Sequence, residues 1–274
     1  MRKRTVVTLV VASMLLLAGC SFGGDGSPAA TATSSTGGDG TSGGGGTDTP
    51  AGQSFSYPAG FDEGGVVNAS AVERGHRSAL TATGGFTVDY DATVTTPNAT
   101  TTVRYDQRVE TESREVLRRT NVTSGALTGL VARYYADDTV YFKSQQPGSD
   151  ETTYGNQSQS YTLAEFTGIE FVRPAFTDVT FASSEVTTRD GDRVVVYRDA
   201  TLENATRLFG SNVDQSNVSD FSATLVVDET GVVRELTYAA TVSRSGGDRQ
   251  VEVTVTVGGI DATTIDEPPW ISRA

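Results

Sequence analysis

The chain has 274 residues, with 21 basic and 34 acidic side chains, a net charge of −13, a single histidine and a single cysteine. This balance repels nucleic acid and anionic headgroups at long range. It also excludes an intramolecular disulfide framework and any zinc site built on two or three histidines. HExxH and CxxC strings are absent as well, so no cofactor, no catalytic metal and no nucleic-acid partner is expected, and the chain reads as non-enzymatic.

Arg2, Lys3 and Arg4 precede an uncharged apolar run from Thr5 to Ala18, the layout of a secretory signal peptide. The run is shorter than the roughly 20 apolar residues that a membrane span needs. It closes on Leu17-Ala18-Gly19-Cys20. These residues resemble the lipobox of secreted lipoproteins. The resemblance implies a signal peptide over residues 1–19 and a mature chain that starts at a lipidated Cys20. Lipid on Cys20 would hold the protein on the outer, extracytoplasmic face of the cytoplasmic membrane. An ordinary signal peptide with an incidental cysteine, or an uncleaved anchor, are the alternatives. Arg2-Lys3-Arg4 has no adjacent arginines and leaves the export route open. Removing residues 1–19 takes away three basic groups, leaving 18 against 34 acidic ones. Lys3 and Lys143 are the only lysines. Such an acidic, lysine-poor, Asp-, Thr- and Val-rich chain resembles the secreted proteins of extremely halophilic archaea; the alternative is a plain acidic extracellular protein of a mesophile.

Residues 20–57 follow as a linker of Gly, Ser, Thr, Ala, Asp and Pro, with Gly43-Gly44-Gly45-Gly46 in its middle. It lacks the apolar residues for a core and predicts a disordered tether with a reach of roughly 30–37 Å.

Residues 58–274 predict a single antiparallel β-rich domain, of which about 210 residues show apolar alternation, enough for one core. A helix is expected around Asn68 to Ala82, capped by Asn68 with a Val67–Val72 staple, or by Ser70 with Glu73. Val72, His76, Ala79 and Leu80 share its apolar side. Phe86, Val88, Tyr90, Ala92 and Val94 alternate with polar residues as a half-buried strand. Val103, Tyr105, Gln107 and Val109 repeat the pattern after a turn at Pro97-Asn98. A weaker strand spans Arg114 to Val122, and Asp137-Asp138 separates two more as a hairpin. Gln145 to Ser160 reads as a long polar loop. Thr162 and Glu165 form a capping box, with Tyr161 and Phe166 in the staple positions, and open a short helix expected to end before Pro174. Strands resume across Asp190-Gly191. A helix is expected at about Ala200 to Phe209. The last strands carry Phe221 to Val227, Leu236 to Val242 and Val251 to Val257.

The expected fold is therefore mainly β (α+β): a strongly curved antiparallel sheet or half-barrel, with an N-terminal helix and two short helices on its concave face. In its order of elements this architecture resembles lipid-carrier lipoproteins of the LolA and LppX/LprG type. The resemblance implies a cavity between sheet and helices that takes a lipid or other hydrophobic ligand. The apolar face would comprise Phe86, Val88 and Tyr90 of the first strand, Val103 and Tyr105 of the second, and Leu225, Val227, Leu236, Tyr238, Val253 and Val255 of the last three. The alternative is a cell-surface structural or interaction module, an envelope or transporter-associated protein, in which these residues pack a solid core.

His76 is the only neutral-pH base but lies on an apolar helix face, which points to a structural role. The carboxylate pairs Asp137-Asp138, Asp190 with Asp192, and Asp62-Glu63 are expected from abundance and turns, not catalysis. Sequons at Asn68, Asn98, Asn121, Asn156, Asn204 and Asn217 are N-glycosylation acceptors in an exported chain.

Overall fold

The computed structural model describes residues 54–274. Cys20, the run before it and the linker up to residue 53 lie outside the described residues. The described chain opens with a small hairpin, β1 (Phe61–Asp62) and β2 (Gly65–Val66). Helix α1 (Ala69–Thr81) follows, and its cap is Asn68, whose side chain accepts from the Ala71 N–H at 3.0 Å. Val72, His76 and Leu80 are the buried positions of α1, one turn apart. Val67 is 64% exposed, so the expected Val67–Val72 staple does not form.

Six strands then meander antiparallel: β3 (Gly85–Thr96), β4 (Ala99–Glu110), β5 (Glu115–Ser124), β6 (Leu127–Ala136), β7 (Thr139–Gln145) and β8 (Thr152–Ser158). A helical interlude holds a 3-10 turn (Leu163–Phe166) and helix α2 (Ile169–Thr177). A second meander comprises β9 (Val179–Arg189), β10 (Asp192–Leu202), β11 (Val218–Asp228), β12 (Val233–Val242) and β13 (Arg249–Gly258), with helix α3 (Thr206–Phe209) between β10 and β11. β13 pairs with β3, which joins the meanders into one eleven-stranded sheet ordered β8-β7-β6-β5-β4-β3-β13-β12-β11-β10-β9. β8 and β9 are its edges, so the curved sheet is not closed into a barrel.

Turn chemistry sets the register. Asp137 and Asp138 both adopt positive φ (49° and 54°), as do Asp190 and Gly191 (53° and 94°), the geometry of two-residue hairpins whose twist matches the strands. In β11 the register shifts between Ser219 and Ser222 and again between Val226 and Val227. Such bulges bend a strand and increase its twist.

Three elements depart from the sequence expectation. Thr152–Ser158 is strand β8, not loop. Its sequence TTYGNQS has no apolar face because, as an edge strand paired only to β7, it covers no core. The helix opened by Thr162 is split and does not end before Pro174: the Glu165 carboxylate accepts from the Thr162 N–H at 3.2 Å, Gly168 breaks the path at φ 72°, and α2 then runs through Pro174. Proline removes one backbone bond, while continuing the helix buries Ala175 and Phe176. The helix expected over Ala200 to Phe209 is only the single turn α3, because Ala200, Thr201 and Leu202 pair with Phe181, Thr180 and Val179 as strand.

One face of the sheet, α1 and α2 share the main core, with Phe86, Val88, Val109, Val116, Leu225 and Leu236 beneath the helices. The opposite face carries a separate buried strip, Val194, Val196 and Val226. Ion pairs Arg189–Glu235, Arg198–Glu185 and Arg234–Asp192 lie around it, their apolar stems covering the valines. The same face of β5 and β6 buries Leu117 and Tyr134. The C-terminal segment crosses this end of the sheet, from the Ile265 N–H on Glu110 to Arg273, which donates to the Tyr154 hydroxyl at 3.1 Å and sits over its ring.

Candidate functional site

His76 is fully buried at the junction of three elements. Its Nδ1 accepts from the Val233 N–H at 3.1 Å, so Nε2 carries the proton and donates to the Thr167 carbonyl at 2.9 Å. Burial pulls its pKa down to about 4. A neutral imidazole with both nitrogens engaged ties α1 to the Thr167 bend and to the start of β12, and has no open nitrogen for a substrate. Among the carboxylates, Asp137-Asp138 and Asp190 occupy hairpin turns. Asp192 pairs with Arg234, and Asp62 accepts from the Gly64 N–H at 2.7 Å. Among the described residues no group of three or more His, Cys, Asp or Glu is placed to hold a metal ion.

The sequons fall mostly on the surface: Asn98 in the β3–β4 turn, Asn156 on edge strand β8 and Asn217 before β11 are exposed. Asn121 is half-buried on β5. Asn68 and Asn204 are exposed but already accept backbone N–H groups, from Ala71 and Thr206.

The expected apolar face divides in two. Phe86, Val88, Leu225, Val227, Leu236 and Val255 are buried in the main core, and Tyr105 is buried beside Gln107 and Arg118. Tyr90, Val103, Tyr238 and Val253 line a pocket on the same face, farther along the sheet. The cross-strand pairs Val253–Ala92, Val251–Val94 and Tyr238–Val253 form its floor. Its wall is α3, through Leu208 and Phe209. The Phe209 ring meets Tyr238 edge-on at 6.1 Å and Phe221 at 6.4 Å. On the other side Tyr90 stacks on Phe171 at 4.7 Å, and Tyr105 meets the same ring at 4.9 Å. The pocket thus lies between two aromatic groups, one from each meander.

The pocket has a volume of about 70 Å³ and is partly open to solvent. A single water needs roughly 10–15 Å³, so the pocket is a few waters in size. α3 is one turn long, and its Leu208 and Phe209 hold it to the sheet by apolar contact. Burial pushes the Tyr90 phenol up to about 12 and the Tyr238 phenol well above the usual range, so both stay protonated.

Sequence reasoning missed most of the lining of this pocket, including Leu208 and Phe209 of α3 and its two charged residues, Arg244 and Arg249. The two arginines flank the Gly246-Gly247 turn between β12 and β13, and no periodicity marks them. Arg244 donates to the Phe209 carbonyl at 3.2 Å, and its Nε is buried without a partner. A third arginine, Arg118, lies deeper on the same sheet face. It donates to Gln107 Oε1 at 3.2 and 3.3 Å and sits over the Tyr105 and Phe166 rings at 5.1 and 5.3 Å. Gln107 is itself fully buried, accepts from the Tyr105 hydroxyl at 2.6 Å and donates to the Phe166 carbonyl. Burial raises the Glu170 carboxyl although Arg118 works against it. This cluster is satisfied within the protein and fastens the 3-10 turn to β4 and β5.

No curated protein matches the chain. Several solved structures are similar in fold. The lipoprotein LppX of Mycobacterium tuberculosis is 12% identical, covers 73% of this chain and 98% of its own, and has a TM-score of 0.36. A LolA superfamily protein of Nitrosomonas europaea is 11% identical over 75% of this chain and 97% of its own, at a TM-score of 0.24. A DUF1329 family protein from Desulfovibrio piger is 7% identical over 74% and 95%, at 0.27. Residues 5–274 match the family described as "Family of unknown function (DUF7537)". The chain belongs to that family.

Proposed function

We propose that this protein is a non-enzymatic, lipid-anchored extracytoplasmic protein that binds the apolar chain of a lipid or other hydrophobic ligand between its sheet and α3. The observation that carries the reading is the pocket itself: an apolar floor from both meanders, aromatic groups on either side, and a one-turn helix as its wall. An apolar chain placed there gains roughly 25 cal/mol for each Å² removed from water. Tyr90 and Tyr238 frame the space with their rings, which offer an apolar chain a broad face to pack against. Lipid on Cys20 and the linker of residues 21–53 would keep the pocket within reach of a bilayer, the following residues Phe55 and Tyr57 already packing on the domain. Extraction of the purified chain with organic solvent, followed by mass spectrometry, tests the reading. Recovery of lipid in proportion to protein supports it. No co-purified lipid, together with no binding of fluorescent lipid probes, overturns it in favour of a surface interaction module.

A further inference from the structure

The rim of the pocket carries its own chemical information. Arg244 and Arg249 line it, and no acidic residue does. This is unusual in composition terms for a chain with 34 carboxylates against 21 bases. Arg249 opens β13 and Arg244 lies five residues earlier, on the other side of the Gly246-Gly247 turn, so one tight connection presents both guanidinium groups beside the same apolar space. Neither forms an ion pair with a described carboxylate, whereas Arg189, Arg193, Arg198 and Arg234 do. The nearest acidic side chain on the turn, Asp248, is occupied by the Ser243 hydroxyl at 2.8 Å. Arg244 is also under-satisfied: one terminal nitrogen donates to the Phe209 carbonyl, while the buried Nε has no acceptor.

We propose that Arg244 and Arg249 form the headgroup site for an anionic amphiphile, a lipid with a phosphate-bearing head whose apolar chain enters the pocket beneath α3. This rests on the reading of the pocket as a lipid site and adds the class of lipid. The planar guanidinium offers parallel N–H donors that match the oxygens of a phosphate, and two of them share its charge. The long-range field of the protein disfavours anions, so the preference acts at contact distance, where salt screens it least. The carbonyl of Phe209, on the wall of the pocket, holds Arg244 beside the same apolar space.

The test uses the full chain carrying Cys20→Ser, titrated below micelle formation with lysophosphatidylglycerol, with lysophosphatidylcholine and with inorganic phosphate. The expected result is binding of the anionic lysolipid about tenfold tighter than the zwitterionic one, the scale of one charge-assisted contact. Arg249→Ala and the double variant Arg244→Ala/Arg249→Ala remove that preference: they weaken the anionic lysolipid about tenfold and lysophosphatidylcholine, whose choline already offsets its phosphate charge, by less. Lysine at both positions restores part of it. Among the described residues the Arg249 side chain forms no hydrogen bond or ion pair within the protein, so Arg249→Ala remains informative if Arg244→Ala disturbs the turn. Equal binding of both lysolipids, or a preference that survives the double variant, overturns the headgroup site while the apolar pocket stands. Inorganic phosphate that binds as tightly as the anionic lysolipid overturns it in favour of a free-anion site. Binding of neither lysolipid overturns the lipid reading as a whole.

Discussion

His76 shows how one residue type carries opposite meanings in different surroundings. A lone histidine is a natural candidate for acid–base chemistry, yet here both ring nitrogens are committed to backbone groups of other elements. Its depressed pKa has a consequence for stability. Between the ordinary value of 6.5 and the folded value of about 4, the unfolded chain takes up a proton that the folded chain refuses. The stabilising effect of the neutral form is therefore complete above pH 6.5 and is lost as pH falls toward 4, by about 3 kcal/mol in all. Urea unfolding of wild type and His76→Gln at pH 7.5 and pH 4.5 checks this: wild type loses more stability over the interval than the variant does. At pH 7.5 the variant starts lower, by about 2 kcal/mol, because Thr167 and Val233 lose a buried partner.

At the scale of elements, two local arrangements make separable predictions. Gly168 joins the 3-10 turn to α2 at φ 72°, and a Cβ there would stand 2.6 Å from Val88 Cγ1. Gly168→Ala combines left-handed strain with a clash against the core floor and is expected to lower stability by at least about 2 kcal/mol in denaturant titrations. On the other face of the sheet, Asp89 and Asp106 lie directly opposite on β3 and β4, and the Asp89 carboxyl is raised first by burial and then by Asp106. A raised carboxyl makes the fold more stable below its folded pKa and less so as pH rises through it. Asp89→Asn is therefore expected to stabilise the protein at neutral pH and low salt, by up to about 1 kcal/mol. At 1 M salt, where the Debye length is about 3 Å, the difference between the thermal melts of the two proteins should shrink by the Asp106 repulsion while the part due to burial remains.

The same scale shows which elements the sequence makes legible. Strands β3, β4 and β11 to β13 are readable because one face covers the core and forces strict alternation, as at Phe86, Val88 and Tyr90. β8 is not, since nothing rests on TTYGNQS and no alternation is required of it. Pro174 misleads for a related reason: its cost is local, whereas the burial of Phe176 beyond it depends on the β9 end of the sheet, which local sequence does not reveal.

At the scale of the molecule, the joining of β13 to β3 matters most. It places Val251 and Val253 beside Ala92 and Val94, residues more than 150 positions apart, and so builds the pocket floor from both ends of the domain. The face that contains this floor is legible as an apolar stripe. Its division into a solid core and a pocket is not, because that depends on where α1, α2 and α3 come to rest. Arg244 and Arg249 escape notice for the same reason, as two bases on a polar turn. The proposed anchoring belongs to this scale too: Cys20→Ser is expected to move the protein from the membrane fraction to the medium, as read by fractionation and immunoblotting.

The pocket is the central claim, and titration of a fluorescent fatty-acyl probe into wild type and Val103→Trp tests it most directly. Val103 is half-buried on the pocket wall, so an indole there occupies the groove with less disturbance to the core than a change at Phe86 or Val88. The account predicts saturable binding of one probe per chain in wild type, weakened about tenfold or more in a Val103→Trp protein of unchanged melting temperature. Saturable binding that Val103→Trp leaves untouched, or no binding in wild type, would contradict it.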